Sequence, residues 1–214
     1  MQLIGMLDSP FVRRVAISLQ LLGLPFEHHP VSVFRTFDQF LGINPVVKAP
    51  TLICDDGEVL MDSTLVLEYA EALSASVSGR SLVPSDLPGL QRSLRVTGLA
   101  MAACEKSVQI VYERELRPAE KLHQPWLVRV SGQLLAAYDA LEAGFEKHPA
   151  VIASATIDQA TLTTAVAWQF TQQMVPDTVP VARYPALAAL SAAAEQLPEF
   201  AAAPHGAGTY RQPG

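Results

Sequence analysis

The sequence predicts an α/β domain followed by an all-helical one, and three observations predict it. Up to about residue 73, short β-prone runs alternate with helical spacings in the order β-α-β-α-β-β-α. A Ser-, Pro- and Gly-rich stretch, 74–89, then interrupts the pattern. Beyond it strand signal nearly vanishes, and apolar residues recur at intervals of three and four.

Gln2–Met6 is a short β-prone run. Leu7-Asp8-Ser9-Pro10 is turn chemistry opening a helix, with proline at a first-turn position where its missing N–H costs nothing. Phe11, Val15, Leu19 and Leu22 repeat at helical spacing, and Gly23 ends the helix. Phe26–Val33 reads as a second strand, and Phe34–Leu41 as a short helix or loop closed by Gly42. Thr51–Cys54 and Glu58–Met61 flank Asp55-Asp56-Gly57, an antiparallel hairpin. A helix from Asp62-Ser63 to about Leu73 completes the first domain, whose helical crossover after the first strand implies one parallel pair.

In the second half, Leu90–Leu116 is one long helix, and Pro118 and Pro125 bracket its break from the next. Leu127, Val130, Leu134, Tyr138, Leu141 and Phe145 form an amphipathic stripe. Thr156-Ile157-Asp158-Gln159 fits a capping box opening a helix to about Gln173. Tyr184–Gln196 is a last Ala-rich helix, and Pro198–Gly214 reads as coil. The expected division is 1–76, a linker 77–88, a helical domain 89–205 and a tail 206–214.

Half of the 214 residues are hydrophobic and 17% are charged, which favours a filled core over disorder. The net charge of −6 and the scattered Lys and Arg argue against nucleic-acid and membrane-surface partners. No apolar run reaches the roughly 18 residues of a membrane span. The opening Met-Gln-Leu-Ile-Gly has no basic or long apolar leader, and Cys54 and Cys104 form no pairing motif, so a reducing cytoplasm is expected. His28 and His29 lack a third partner at metal spacing, and no metal site is expected. Arg13 and Arg14 read as solvated or interface residues, Cys54 as a buried strand residue, and Trp168 as core.

The stretch 44–69 carries the candidate chemistry. Pro50 stands at a strand's first residue, where the ladder loses only one donor, and Ala49–Pro50 suits a cis bond that exposes backbone edges. Ser63 at a helix start offers a hydroxyl and unpaired N–H groups to an anion. Together they read as two halves of a site for a small, peptide-like ligand with a carboxylate.

Ser9-Pro10-Phe11-Val12-Arg13, Asn44-Pro45-Val46-Val47-Lys48-Ala49-Pro50-Thr51-Leu52 and Asp62-Ser63-Thr64-Leu65-Val66-Leu67-Glu68-Tyr69 resemble, in order, three segments of the bacterial cytosolic glutathione transferases with serine at the first helix. Arg183-Tyr184-Pro185-Ala186-Leu187 matches more loosely. The resemblance covers most of residues 1–205; it departs at Ala49, usually valine, and at Gln159, usually an acid.

It implies a thioredoxin-like first domain with a mixed four-stranded sheet, and glutathione as co-substrate. Ser9 would donate to the glutathione sulfur and favour the thiolate; its plainer role is a helix N-cap. Asp62 and Ser63 would hold the γ-glutamyl end, Ala49 and Pro50 the cysteinyl backbone, and Lys48 the glycyl carboxylate, with Phe11 and Phe34 nearby. Asp62-Ser63 also caps a helix without any ligand, and Lys48 also serves as a solvated surface lysine. Met6, Met101, Cys104, Ser107, Val108 and Tyr112 would line a pocket for a hydrophobic electrophile; core packing is the alternative for that stripe. The implied activity is conjugation of glutathione to such an electrophile in a detoxifying homodimer. Glutathione-dependent peroxidase or thiol exchange, and a non-catalytic interaction protein on the same fold, are the alternatives.

Overall fold

The computed structural model describes residues 1–211. The chain forms two units, one of Met1–Val83 with the segment from Gln196 onward, and one of Pro84–Glu195.

The first unit is built on strands β1 (Gln2–Ile4), β2 (Glu27–His29), β3 (Thr51–Ile53) and β4 (Val59–Met61) in the order β2-β1-β3-β4. β1 and β2 run parallel with Leu3 opposite His28. β3 is antiparallel to both β1 and β4, with Leu52 opposite Leu3 and Leu60. Successive side chains face opposite sides, so a sheet covered on both faces buries consecutive residues, and Leu3 and Ile4 are both buried. Ile4 packs with Val31 and with Phe40 of α2 (Phe37–Ile43). Helices α1 (Pro10–Leu21) and α3 (Ser63–Val77) pack on each other, on β1 and on β4.

α1 is buried almost all round, so its two cations must be partnered inside. Arg13 and Arg14 are both 1% exposed, which corrects their reading as solvated residues. Arg13 Nε donates to the Ala203 carbonyl at 2.7 Å, and its guanidinium lies 5.6 Å from the Phe200 ring centroid. The expected coil after Pro198 therefore begins with a short helix, α8 (Pro198–Ala202), packed on α1 as part of the first unit. Residues 196–205, expected in the helical domain, cluster with the first unit instead; of the expected tail, residues 212–214 lie outside the described residues.

α3 runs on to Val77, into the stretch expected as linker. Its serines do not break it, because Ser74 Oγ bonds the Leu22 and Arg80 carbonyls and so ties the ends of α1 and α3 together.

The second unit holds α4 (Leu87–Glu115), α5 (Gln124–Lys147), α6 (Gln159–Met174) and α7 (Pro185–Ala194). α4 packs against α5 and α6, and α7 against both of these. α4 starts three residues earlier than expected, because Asp86 caps the Gly89 N–H at 2.8 Å and Pro88 is tolerated in a first turn. The capping box at Thr156 is corrected too: Asp158 is the N-cap, accepting from Thr161 N at 2.8 Å, and Gln159 is already helical. Glu142, buried on α5, accepts from Ala186 and Leu187 N–H and so closes the start of α7. Among the described residues, no helix is long and apolar enough to cross a membrane.

Candidate functional site

Three chain segments build the candidate site in the first unit. The first is the start of α1. Ser9 is its N-cap in extended conformation, and its Oγ accepts from Val12 N at a long 3.5 Å. Among the described residues the Ser9 O–H has no acceptor, so it is open to donate to a ligand atom. Phe11 beside it is half-buried.

The second segment is the loop before β3, where the Ala49–Pro50 peptide is cis. Asn44 and Thr51 organise the loop: Asn44 Nδ2 donates to Thr51 Oγ1 at 2.9 Å, and Thr51 Oγ1 donates to the Lys48 carbonyl at 2.7 Å. Within this loop Val47 has φ 52°, a rare conformation for a β-branched residue. Gly5 lies beneath, with φ +137°; a Cβ there would sit 2.6 Å from a Val12 methyl and 3.1 Å from the Ala49 Cβ. The close approach of β1 to Ala49 thus depends on a glycine whose role no sequence motif announced.

The third segment is the start of α3. Asp62 is its N-cap, at φ 73°, and accepts from Thr64 N at 2.9 Å. Lys48 Nζ lies 3.1 Å from the other Asp62 carboxylate oxygen, both side chains about half-exposed. Partial burial pushes the Asp62 carboxyl up, but the Thr64 N–H and Lys48 outweigh it and hold the group below its ordinary range. Lys48 thus has a protein partner, whatever else it contacts.

Beneath Asp62, Ser63 is 2% exposed and its Oγ accepts from Arg14 Nη1 at 3.0 Å. Thr64 Oγ1 accepts from the same nitrogen at 3.3 Å. A buried guanidinium therefore stands under a helix N-terminus that itself carries about half a positive charge. Because Arg14 occupies a Ser63 lone pair, the Ser63 hydroxyl proton is directed elsewhere. α1 links two of the segments: Ser9 opens it, and Arg14, five residues on, braces Ser63. The signal that would have found Arg14 is the helix around it, since apolar residues on all faces leave no solvated face for a cation.

Phe34 lies on an exposed turn before α2, where its N–H donates to Ser32 Oγ. Met6, in the first unit, is buried, and its carbonyl accepts from Ser9 N. In the second unit, Cys104 and Ser107 are fully buried, and Ser107 shares a 2.8 Å hydrogen bond with Thr171 of α6. They pack in the helical core, whereas Met101, Val108 and Tyr112 keep part of their surface open. Cys54 is buried and Trp168 is 3% exposed in an aromatic cluster with Tyr138 and Tyr184.

A strand-edge loop with a cis proline beside an acid–serine helix start points to one fold family, and comparison with known proteins agrees. The family model for the glutathione S-transferase N-terminal domain matches residues 3–78. Residues 3–78 are thus similar to the N-terminal domain of the glutathione transferases. A thioredoxin-like unit followed by an all-helical one is also the fold of solved glutathione S-transferases. An uncharacterized GST-like protein of Escherichia coli, YibF, is 28% identical over 142 residues, 66% of this chain and 68% of that one. A glutathione transferase family member from Pseudomonas fluorescens Pf-5, solved with bound glutathione, aligns with a TM-score of 0.78. It is 26% identical and the match covers 99% of this chain and 98% of that one. A glutathione S-transferase from Methylobacterium radiotolerans, solved with glutathione sulfonate, shares the fold at a TM-score of 0.84 and 24% identity, over 94% and 92% of the two chains.

Proposed function

We propose that the chain binds glutathione on its first unit and transfers the thiolate to a small hydrophobic electrophile. The observation that carries this reading is the buried Arg14 beneath Ser63, which turns the start of α3 into a cationic cradle for a carboxylate. The γ-glutamyl carboxylate would take the Ser63 hydroxyl and N–H, and its ammonium would approach Asp62. The Ala49 backbone beside the cis proline would pair with the cysteinyl unit as a strand edge does. Lys48, Phe11 and Phe34 stand as further contacts to the peptide.

Ser9 then has the chemical role. A free thiol with pKa near ~8.5 is only a few per cent ionised at neutral pH. A hydrogen bond from the Ser9 O–H to the sulfur, worth about 1.5–3 kcal/mol to an anion, lowers that value by about one to two units. The first-turn N–H groups of α1 act in the same direction. The thiolate attacks the electrophilic carbon, the C–S bond forms, and the leaving group departs with the electron pair of its bond to carbon. α4 supplies Met101, Val108 and Tyr112 as the accessible side chains from which we draw the electrophile surface; Met suits an adaptable apolar contact. Likeness to the glutathione transferases supports a homodimer, and exposed Leu65 on α3 and Leu94 on α4 are apolar side chains suited to such an interface.

Ser9→Ala tests the chemistry. Glutathione affinity is expected to stay within a few-fold, while turnover of a model aryl halide falls about eight- to twenty-five-fold at neutral pH, the change in ionised thiol that one to two pKa units give. Unchanged turnover removes Ser9 from the mechanism.

A further inference from the structure

The start of α3 already carries a cation where the ligand would bring one. Asp62 Oδ1 is committed to Thr64 N at 2.9 Å, and Lys48 Nζ lies 3.1 Å from Oδ2. Oδ2 is therefore the oxygen that a ligand ammonium would seek. An ammonium arriving there would stand close to Lys48 Nζ, and two like charges on one carboxylate oxygen repel. One of the two has to give way.

The anchoring of the pair says which. Asp62 is fixed as the N-cap of α3. The Lys48 carbonyl is held by Thr51 Oγ1 at 2.7 Å, and Thr51, fully buried, is held in turn by Asn44 Nδ2 at 2.9 Å. These bonds fix the Lys48 main chain but not its ammonium, which ends a flexible four-carbon stem that is half in solvent. The Arg14–Ser63 and Asn44–Thr51 bonds are buried, whereas the Lys48–Asp62 pair is half-exposed. An exposed pair of this kind is weak, so a ligand ammonium replaces it at little cost. The pair also spans the site, since Lys48 precedes Ala49 and Asp62 precedes Ser63. A lysine displaced from Asp62 is left without an anion unless the ligand supplies one near Ala49.

We infer that Lys48 is a specificity-determining residue that competes with the ligand's ammonium for Asp62. The ammonium takes Asp62, and the displaced Lys48 takes a carboxylate at the other end of the ligand. The site thereby selects molecules that carry both groups, because a ligand with only one leaves a member of the pair unpartnered. The inference rests on the glutathione reading.

The test is calorimetric titration of the native chain, Lys48→Met and Lys48→Arg with three ligands. These are glutathione, its deamino analogue glutaryl-cysteinylglycine, and its glycyl ethyl ester. In the native chain Lys48 returns to Asp62 when the ammonium is missing and softens the loss. In Lys48→Met nothing does. The preference for glutathione over the deamino analogue is therefore expected to be about two- to five-fold larger in Lys48→Met than in the native chain, the scale of one exposed ion pair. Lys48→Arg, which keeps the cation, should return it toward the native value. The preference for glutathione over its ester should vanish in Lys48→Met. Lys48 is half-exposed, so the substitutions leave the core intact, and circular dichroism would confirm the fold. If glutathione binds but either preference is the same in Lys48→Met as in the native chain, the exchange is overturned. If the native chain binds no glutathione, the glutathione reading itself fails, and the exchange with it.

Discussion

The start of α3 and the surface where α4 gives way to α5 are built on different plans. In the first unit the polar groups are bonded to one another before any ligand arrives: Arg14 to Ser63 and Thr64, Asp62 to Thr64 and Lys48, Asn44 to Thr51. In the helical unit Glu113 is bonded to His123 and Arg117, but Lys121 and Trp126 beside it stay exposed. A network already satisfied fixes its geometry and suits one ligand, because little ordering remains to be done on binding. Exposed long side chains keep their freedom and suit a broader class of ligand, at a cost in affinity.

The largest effect expected from this contrast is at Gly5. Gly5→Ala forces a Cβ into Val12 and toward Ala49 at a φ that L side chains rarely adopt. Overpacking and backbone strain together are expected to cost about 3–5 kcal/mol, read as a lowered urea midpoint. A loss below about 1 kcal/mol would mean that the sheet edge under Ala49 is yielding, and the fixed-geometry half of the comparison would fail.

A smaller, pH-dependent effect is expected at His28. Its Nδ1 accepts from Tyr210 N at 2.9 Å, so the proton sits on Nε2, 2.7 Å from the Gly5 carbonyl that it bonds. Burial holds its pKa below the usual 6.5; the Gly5 carbonyl opposes this, and His29 adds to it. The folded state therefore binds the proton less readily than the unfolded one. The stability that neutral His28 contributes is present above pH 6.5 and is lost as pH falls through the lowered folded value. Urea midpoints between neutral and mildly acidic pH should decline, and His28→Gln should flatten that part of the slope. An equal slope in both proteins would show that His28 does not carry it.

The smallest effect is expected in the helical unit. Lys121→Met should change stability by no more than about 0.5 kcal/mol, as for surface positions without a partner. A larger loss in thermal denaturation would show that Lys121 is also held by the fold, and would erase the contrast.

What the sequence made legible follows the same division between local and distant causes. The hairpin of β3 and β4, the Asp62-Ser63 helix start and the Ala49–Pro50 turn are set by residues within a few positions of each other, and turn chemistry exposes them. The burial of Arg13 is not legible locally, because the Ala203 carbonyl that it bonds lies 190 residues away. The same holds for Arg14, since Ser63 is 49 residues along the chain. The short helix at Pro198 likewise exists through its packing on α1 and not through its own propensity, since five residues cannot hold a helix alone. At Thr156 two local signals competed, and the aspartate two residues later made the better cap. Cys104 and Ser107 show the limit of a helical stripe: spacing places them on one face of α4, but only the partner helix decides that this face is core.

The central claim is that the Arg14-braced start of α3 holds glutathione. Its most direct test is calorimetric titration of glutathione into the native chain and into Arg14→Met, with folding checked by circular dichroism. The native chain should bind saturably at millimolar or lower concentration. Loss of a charge-assisted bond worth about 1.5–3 kcal/mol should weaken binding by about ten- to a hundred-fold in the variant. Equal affinity in a folded Arg14→Met protein, or no binding by the native chain, would contradict the account.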